Sequence, residues 1–410
     1  MRIQNLIAGM SICLYPWLAN AITLDEAMTL ASKQHPSLTM AQNNVEAARA
    51  QRDERSAYAY NPEISLEPQR RHLNGGGTSN DYYITLSQGI ELGGKPTYRK
   101  QAAEAFVNEA GFAFQDNEQK TRTAAAKAFV DLYFGRQSYE LRKQQAEMLL
   151  QVNEALRQQL LAGQASQLDA NLAGSTYIAA VNALTSAQQQ LSQSKVNFSM
   201  ALGVGHEAFS QLELPKLSGE WQPPSNPVEV ALQSRPDLAA LKERMQRTHS
   251  ESELAGAARI PDITLSAMTG RETGDRLVKF GVTVPLPVWN THKGAYKSAL
   301  AQEDNAKTEL AWREQQMRQE VRAVLDNYNQ AIQTLKISAG SDQTSLETIS
   351  LARQAYQAGE LDLEELVVHA GQGLDGQLAA LEARHQAWLA LIQLAETLGH
   401  PEFIFQGESQ

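Results

Sequence analysis

From Lys95 to about Leu160 the chain carries no proline after Pro96 and reads as one uninterrupted helix. Phe106, Ala110 and Phe114, then Ala125, Phe129 and Leu132, then Leu149, Val152, Leu156 and Leu160 recur at three- and four-residue spacing, separated mostly by Gln, Glu, Lys, Arg and Ala. At 1.5 Å per residue such a helix is about 100 Å long, against a usual globular helix of roughly 11 to 12 residues. No core of ordinary size buries an element of that length. It is a strut or the stave of a tube wall.

The second half of the chain repeats the first, which supplies this helix with a counterpart. His35-Pro36-Ser37-Leu38 matches Arg235-Pro236-Asp237-Leu238, and Asn61-Pro62-Glu63-Ile64-Ser65-Leu66 matches Ile260-Pro261-Asp262-Ile263-Thr264-Leu265. Asp131 and Tyr133 answer to Asp326 and Tyr328, Gly163 to Gly359, and Leu202-Gly203 to Leu398-Gly399, always in the same order. Each half therefore predicts a short helix, a strand, a loop, a strand, a very long helix, a Gly turn and a second long helix. The expected divisions are a signal peptide at 1-21, a first repeat at 22-203, a linker with Pro215, Pro223 and Pro224 at 204-226, a second repeat at 227-399 and a C-terminal tail at 400-410. The first repeat is read as helical from Ile22 to about Tyr58, interrupted at Pro36 and capped by Thr23 or Asp25. The second very long helix spans about Thr291 to Gln357.

The strand pairs alternate with a period of two. Ile64, Leu66 and Pro68 oppose Ser65 and Glu67 between Glu63 and Gln69, and Tyr82, Ile84 and Leu86 oppose Tyr83, Thr85 and Ser87, with 74 to 80 read as a loop. The second pair is clearer. Ile263, Leu265 and Ala267 alternate with Thr264 and Ser266; Val278, Phe280, Val282 and Val284 alternate with Lys279, Gly281 and Thr283. Apolar-out and polar-in is what a membrane barrel requires, and a soluble sheet resting on helices shows the same alternation.

The N-terminus indicates export. Arg2 is followed by an apolar run from Leu6 to Leu18 and by Ala19-Asn20-Ala21, a secretory cleavage pattern that starts the mature chain near Ile22. The single cysteine, Cys13, falls inside this leader, so thiols, disulfides and Cys-ligated metals are excluded from the mature chain, and its position is too early for lipid attachment. The formal charge of -10 leaves no basic footprint for nucleic acid. Beyond the leader no run approaches 18 apolar residues, so a membrane can be crossed only by strands. Four strands cannot close a barrel, because open edges in lipid leave backbone groups unpaired; three copies supply twelve, and their long helices become the staves of a hollow cylinder.

The duplicated plan, with Glu91-Leu92-Gly93-Gly94-Lys95 in the first half and Val284-Pro285-Leu286-Pro287-Val288-Trp289-Asn290 in the second, resembles the TolC-type outer-membrane efflux ducts. More narrowly it is similar to the outer-membrane subunits of cobalt, zinc and cadmium cation efflux systems. The resemblance implies a mainly α fold with a membrane β-barrel: long antiparallel helical hairpins forming an α-barrel in the periplasm, four strands per protomer and a twelve-stranded barrel in a homotrimer. It further implies a periplasmic adaptor and an inner-membrane resistance-nodulation-division pump as partners, outer-membrane lipid around the barrel, transported metal cations as cargo, and no chemistry of its own. The runner-up cargo is organic drugs or dyes.

By the same resemblance, Gly163 with Leu168 and Gly359 with Leu363 mark adaptor-docking tips, and Asp169 and Glu365, six residues past each Gly, are candidates for a periplasmic gate of like charges. Both carboxylates would equally favour the N-terminal turns of their helices. The family's second acidic position falls at Val368, beside His369, which departs from a two-ring gate. Gly93, Gly94, Pro96, Pro285, Pro287 and Trp289 form the strand-to-helix joins, with Trp289 either at the membrane interface or packed at the collar. The scattered histidines, His35, His206, His249, His292, His369, His385 and His400, show no paired ligand spacing, so no resident metal or other cofactor is expected. A periplasmic adaptor would carry one central hairpin rather than two in series. An envelope enzyme would need a nucleophile elbow, metal-ligand pair or phosphate loop that the sequence lacks.

Overall fold

A computed structural model describes residues 21 to 406 except 73, 205 to 210, 218 and 220. The expected signal peptide and Cys13 lie outside the described residues but for Ala21, as do His206 and part of the linker.

The chain begins with β1 (Ile22–Thr23), α1 (Leu24–Gln34) and α2 (Pro36–Ser56), followed by β2 (Glu63–His72), β3 (Thr78–Ile90), α3 (Lys95–Leu161) and α4 (Gln167–Leu202). After β4 (Leu212–Glu213) come α5 (Pro227–Ser234), α6 (Pro236–Ala257), β5 (Ile263–Glu272), β6 (Asp275–Thr283), α7 (Lys293–Ser338), α8 (Ser341–Gln357), α9 (Leu363–Leu398) and α10 (Phe403–Gln406). The N-terminal helical stretch thus starts two residues late: Ile22–Thr23 pairs in parallel with Leu212–Glu213, and Thr23 then caps α1 through a reciprocal box with Glu26.

α3 runs for 67 residues. Its buried residues are dominated by alanine, among them Ala102, Ala103, Ala105, Ala125, Ala126 and Ala128, and such small side chains let it lie against α2, α4, α6 and α9 along its length. The corresponding arm of the second half is not one helix. It breaks at Ala339 and Gly340, both still in right-handed helical geometry, so the hydrogen-bond ladder is interrupted without the chain turning back. Gly340 is a weak helix former by about 1 kcal/mol, and Ser341 and Asp342 favour a new helix start.

The four long strands form an antiparallel sheet in the order β2-β3-β5-β6. β2 and β3 extend further than the alternation suggests: Arg70, Arg71 and His72 pair with Asn80, Ser79 and Thr78, so only the turn around Asn74 to Gly77 remains of the expected loop. Arg71 bridges Asp81 and Glu272 across three strands, which holds these ends in register. One face of the sheet carries Ile64, Leu66, Ile84, Leu86, Leu265, Phe280 and Val282, all exposed, Phe280 at 85%. Among the described residues no helix covers this face. That removes the soluble-sheet alternative, since a sheet resting on helices would hide it.

The core sits at the waist of the molecule. Leu24 and Met28, Phe129 and Val130, Phe198 and Leu202, Met317 and Val321, and Trp388, Leu391 and Leu398 converge there from α1, α3, α4, α7 and α9. Phe129 meets Phe198 edge to face with centroids 5.8 Å apart. The tail expected after residue 400 closes this core, with Ile404 fully buried and the Trp221 indole donating to Gln406 at 3.0 Å. Towards the hairpin tips the buried cluster shrinks to Ala146, Leu149 and Ala180.

Candidate functional site

Both Gly turns are built the same way. Gly163 and Gly359 adopt left-handed backbone with φ of 74° each. The following amides, of Gln164 and Glu360, return to the carbonyls of Gln159 and Ala355 at 2.8 and 2.9 Å and close the helix ends. Three residues after each glycine a capping box opens the returning helix. The Asp169 amide donates to the Ser166 hydroxyl and the Ser166 amide to the Asp169 carboxylate at 3.0 Å; the Glu365 amide donates to Asp362 at 2.8 Å and the Asp362 amide to the Glu365 carboxylate at 3.1 Å.

The two candidate gate residues therefore occupy equivalent positions, each with its carboxylate turned back onto its own helix start. The Ser166 hydroxyl and amide hold the Asp169 carboxyl below its ordinary range. Asp169 also faces a cleft of about 700 Å³ between the distal ends of the two hairpins, lined by Leu149 and Val152 of α3, Leu172 of α4, and Leu363, Glu364 and Asp375 of α9. Glu365 does not line it. Leu168 is 75% exposed, Leu363 is half-buried, Val368 lines the cleft while remaining half exposed, and His369 is exposed. Glu360, Asp362, Glu364 and Glu365 make the second tip strongly acidic.

At the other end of the helices the joins lock the two halves together. Gly93 and Gly94 are both left-handed, and Gly94 opens α3 with Pro96 in the first turn. A Cβ on Gly93 would lie 2.9 Å from the Ile260 side chain, so glycine is required there by both backbone and space. Lys95 donates to Asp262 and to the Ile260 carbonyl, both at 2.7 Å, while the Leu92 amide and Tyr60 hydroxyl also bond Asp262. Glu91 grips Arg99 with both carboxylate oxygens. These partners were missed by position-by-position reading, although Glu91, Lys95 and Asp262 all stand inside motifs the sequence displays. Pro285, Pro287 and Trp289 lie in the exposed segment after β6, with Trp289 95% exposed.

Among the described residues no group of three or more His, Cys, Asp or Glu side chains could hold a metal ion, and no helix is long and apolar enough to cross a membrane. A sheet with one bare apolar face, set on helices of this length, defines a TolC-like outer-membrane channel fold. The solved CusC structure shares it with a TM-score of 0.75 over 92% of each chain, at 17% identity. Residues 228–400, most of the second half, match the outer membrane efflux protein family. It is 24% identical to the cobalt-zinc-cadmium resistance protein CzcC of Cupriavidus metallidurans, over 89% of this chain and 85% of that protein. It is 26% identical to the outer membrane efflux protein BepC of Brucella suis, over 91% and 81%. The protein is an outer-membrane efflux channel that extends into the periplasm, a transport protein rather than an enzyme.

Proposed function

We propose that three copies of this chain close into one duct, which serves as the exit of a tripartite pump for cobalt-, zinc- or cadmium-type cations. The observation that carries the reading is a matched pair of free edges. β2 and β6 each have one unpaired side. Along the helices, α4 exposes Leu172, Ile178 and Val196, and the α7 and α8 arm exposes Trp312, Leu346 and Leu351. An edge of one kind on each flank calls for head-to-tail contact that closes into a ring. Two copies would give eight strands, whose interior side chains fill; three give twelve and leave a lumen.

The repeats at 22-203 and 227-399 then contribute equivalent staves. The tips at Gly163 with Leu168 and at Gly359 with Leu363 meet the periplasmic adaptor, and through it the inner-membrane pump of the resistance-nodulation-division type. Asp169, Glu365 and their acidic neighbours concentrate cations at the entrance. Trp289 and the joins around it anchor the collar at the lipid interface. The relationship to CzcC supports the cargo assignment.

Deletion of the gene followed by growth on graded cobalt, zinc and cadmium beside a panel of drugs tests the cargo. Metal sensitivity restored by the wild-type gene is expected; sensitivity to drugs alone would defeat the cation reading. Sedimentation of the purified protein in detergent tests the ring, with a particle of three chains expected and a monomer contradicting it.

A further inference from the structure

The pairing register sorts the charges of the sheet by face. Residues that oppose one another across the ladder share a face, so Ile64, Leu66, Pro68, Arg70 and His72 of β2 lie with Tyr82, Ile84 and Leu86 of β3. The same face takes Leu265, Ala267, Thr269 and Arg271 of β5 and Arg276, Val278, Phe280 and Val282 of β6. All the carboxylates of these strands, Glu63, Glu67, Asp81, Glu272 and Asp275, fall on the opposite, polar face. There Arg71 is neutralised by Asp81 at 3.1 Å and Glu272 at 2.8 Å.

Arg70, Arg271 and Arg276 are exposed on the apolar face, and among the described residues none is ion-paired to a carboxylate; Arg271 Nε donates to the Gly274 carbonyl at 3.2 Å. Each stands two residues, about 7 Å, past the last uncharged residue of the band: Pro68, Thr269 and Val278. Arg271 and Arg276 are direct cross-strand partners. Like charges placed opposite one another destabilise an antiparallel pair, and an anion lying between them reverses that sign. The three arginines stand at the hairpin-turn end of the sheet, away from the helices, hence on the outward rim of a barrel whose helices enter the periplasm.

We propose that Arg70, Arg271 and Arg276 form a binding site for the phosphate groups of the phosphorylated glycolipid in the outward leaflet. The inference rests on the sheet lying in the outer membrane. Guanidinium groups bind phosphate oxygens in a bidentate manner. The apolar strip from Tyr82 to Leu86 and from Val278 to Val282 receives the acyl chains beneath. A ring of copies would repeat the site around the barrel, so the lipid collar is held by charge as well as by apolar contact.

The test uses the full-length protein in detergent, with diphosphorylated lipid A and its dephosphorylated form as probes. The wild type is expected to retain the diphosphorylated lipid about tenfold better, the size that loss of one or two charge-assisted contacts implies. The triple variant R70Q/R271Q/R276Q should lose that preference, and R70K/R271K/R276K should keep most of it. K279Q, which removes an exposed cation from the polar face, should leave it intact. Equal retention of both lipids by the wild type, or an undiminished preference in the triple glutamine variant, overturns the proposal. Displacement of the lipid by millimolar inorganic phosphate would mean a site for the free anion, which also overturns it. Fractionation of both variants with the outer membrane is read first; if the wild type itself fails to fractionate there, the membrane reading has failed, not this site.

Discussion

The waist and the tips of this molecule are made from the same helices and held in different ways. At the waist Phe129, Phe198, Met317, Trp388 and Leu391 interlock from four helices, and α1 and α10 seal the outside. At the tips only alanine- and leucine-sized contacts remain, and the hairpins are secured by left-handed glycines and capping boxes at their very ends. The waist is fixed by burial, which acts in bulk. The tips are fixed by a few hydrogen bonds on exposed backbone, which can open locally without unfolding the rest.

The comparison breaks most sharply at Trp388. Trp388→Ala empties a buried site in the densest part of the core and should cost about 3 to 5 kcal/mol, seen as a lower midpoint of global denaturation. Gly373→Ala acts in the distal half. Its Cβ would lie 2.5 Å from the Ile349 side chain and 2.9 Å from the Ser345 carbonyl, so α8 and α9 must separate at a cost of about 1 to 3 kcal/mol. Faster proteolysis between residues 341 and 376, with a smaller change in the global midpoint, is the expected pattern. Gly163→Ala or Gly359→Ala forces a side chain into left-handed backbone for about 1 to 2 kcal/mol and should leave the waist untouched. Equal global losses from Trp388→Ala and Gly359→Ala would refute the distinction.

Titration should separate the regions by sign. Burial pushes the Tyr328 hydroxyl at the waist up to about 12, while it donates to the Trp221 carbonyl at 3.1 Å. An unfolded tyrosine ionises near 10. The contribution of Tyr328 is therefore complete below about pH 10 and is lost as pH rises towards 12. Asp169 at the tip is shifted down, so its contribution is present above the ordinary aspartate value and is lost as pH falls through the lowered one. Tryptophan fluorescence of the waist should respond to alkali, and protease sensitivity of the first tip to acid. The smallest structural effect is expected from Glu365→Gln, which keeps a side-chain acceptor for the Asp362 amide; lower cation preference in single-channel conductance would assign the charge to the entrance, and unchanged conductance would leave it a cap.

Much of this was legible because it is periodic. The duplication, the Gly turns and the alternating strands are statements about spacing, and spacing survives without coordinates. The break at Gly340 was not, since one glycine without a proline is a weak signal inside a strong helical pattern. The ends of β2 and β3 read as loop because Arg70, Arg71, Ser79 and Asn80 lack apolar alternation; what extends them is the ionic link from Arg71 to strands that are distant in sequence. The candidate gate follows from position, whereas Ser166 and Asp362, which engage its carboxylates, emerge from the capping geometry. The join at Asp262 required the two halves to meet in space, which no pattern within either half reveals.

The unlike flanks also have a genetic consequence. In the proposed ring each copy offers one edge and accepts another, so a copy with one spoiled flank still docks through its sound one and then blocks closure. Defects on β2, β6, α4 or the α7 and α8 arm would be dominant over a wild-type allele in the same cell. Defects buried in the waist would be recessive, because a chain that does not fold never joins a ring.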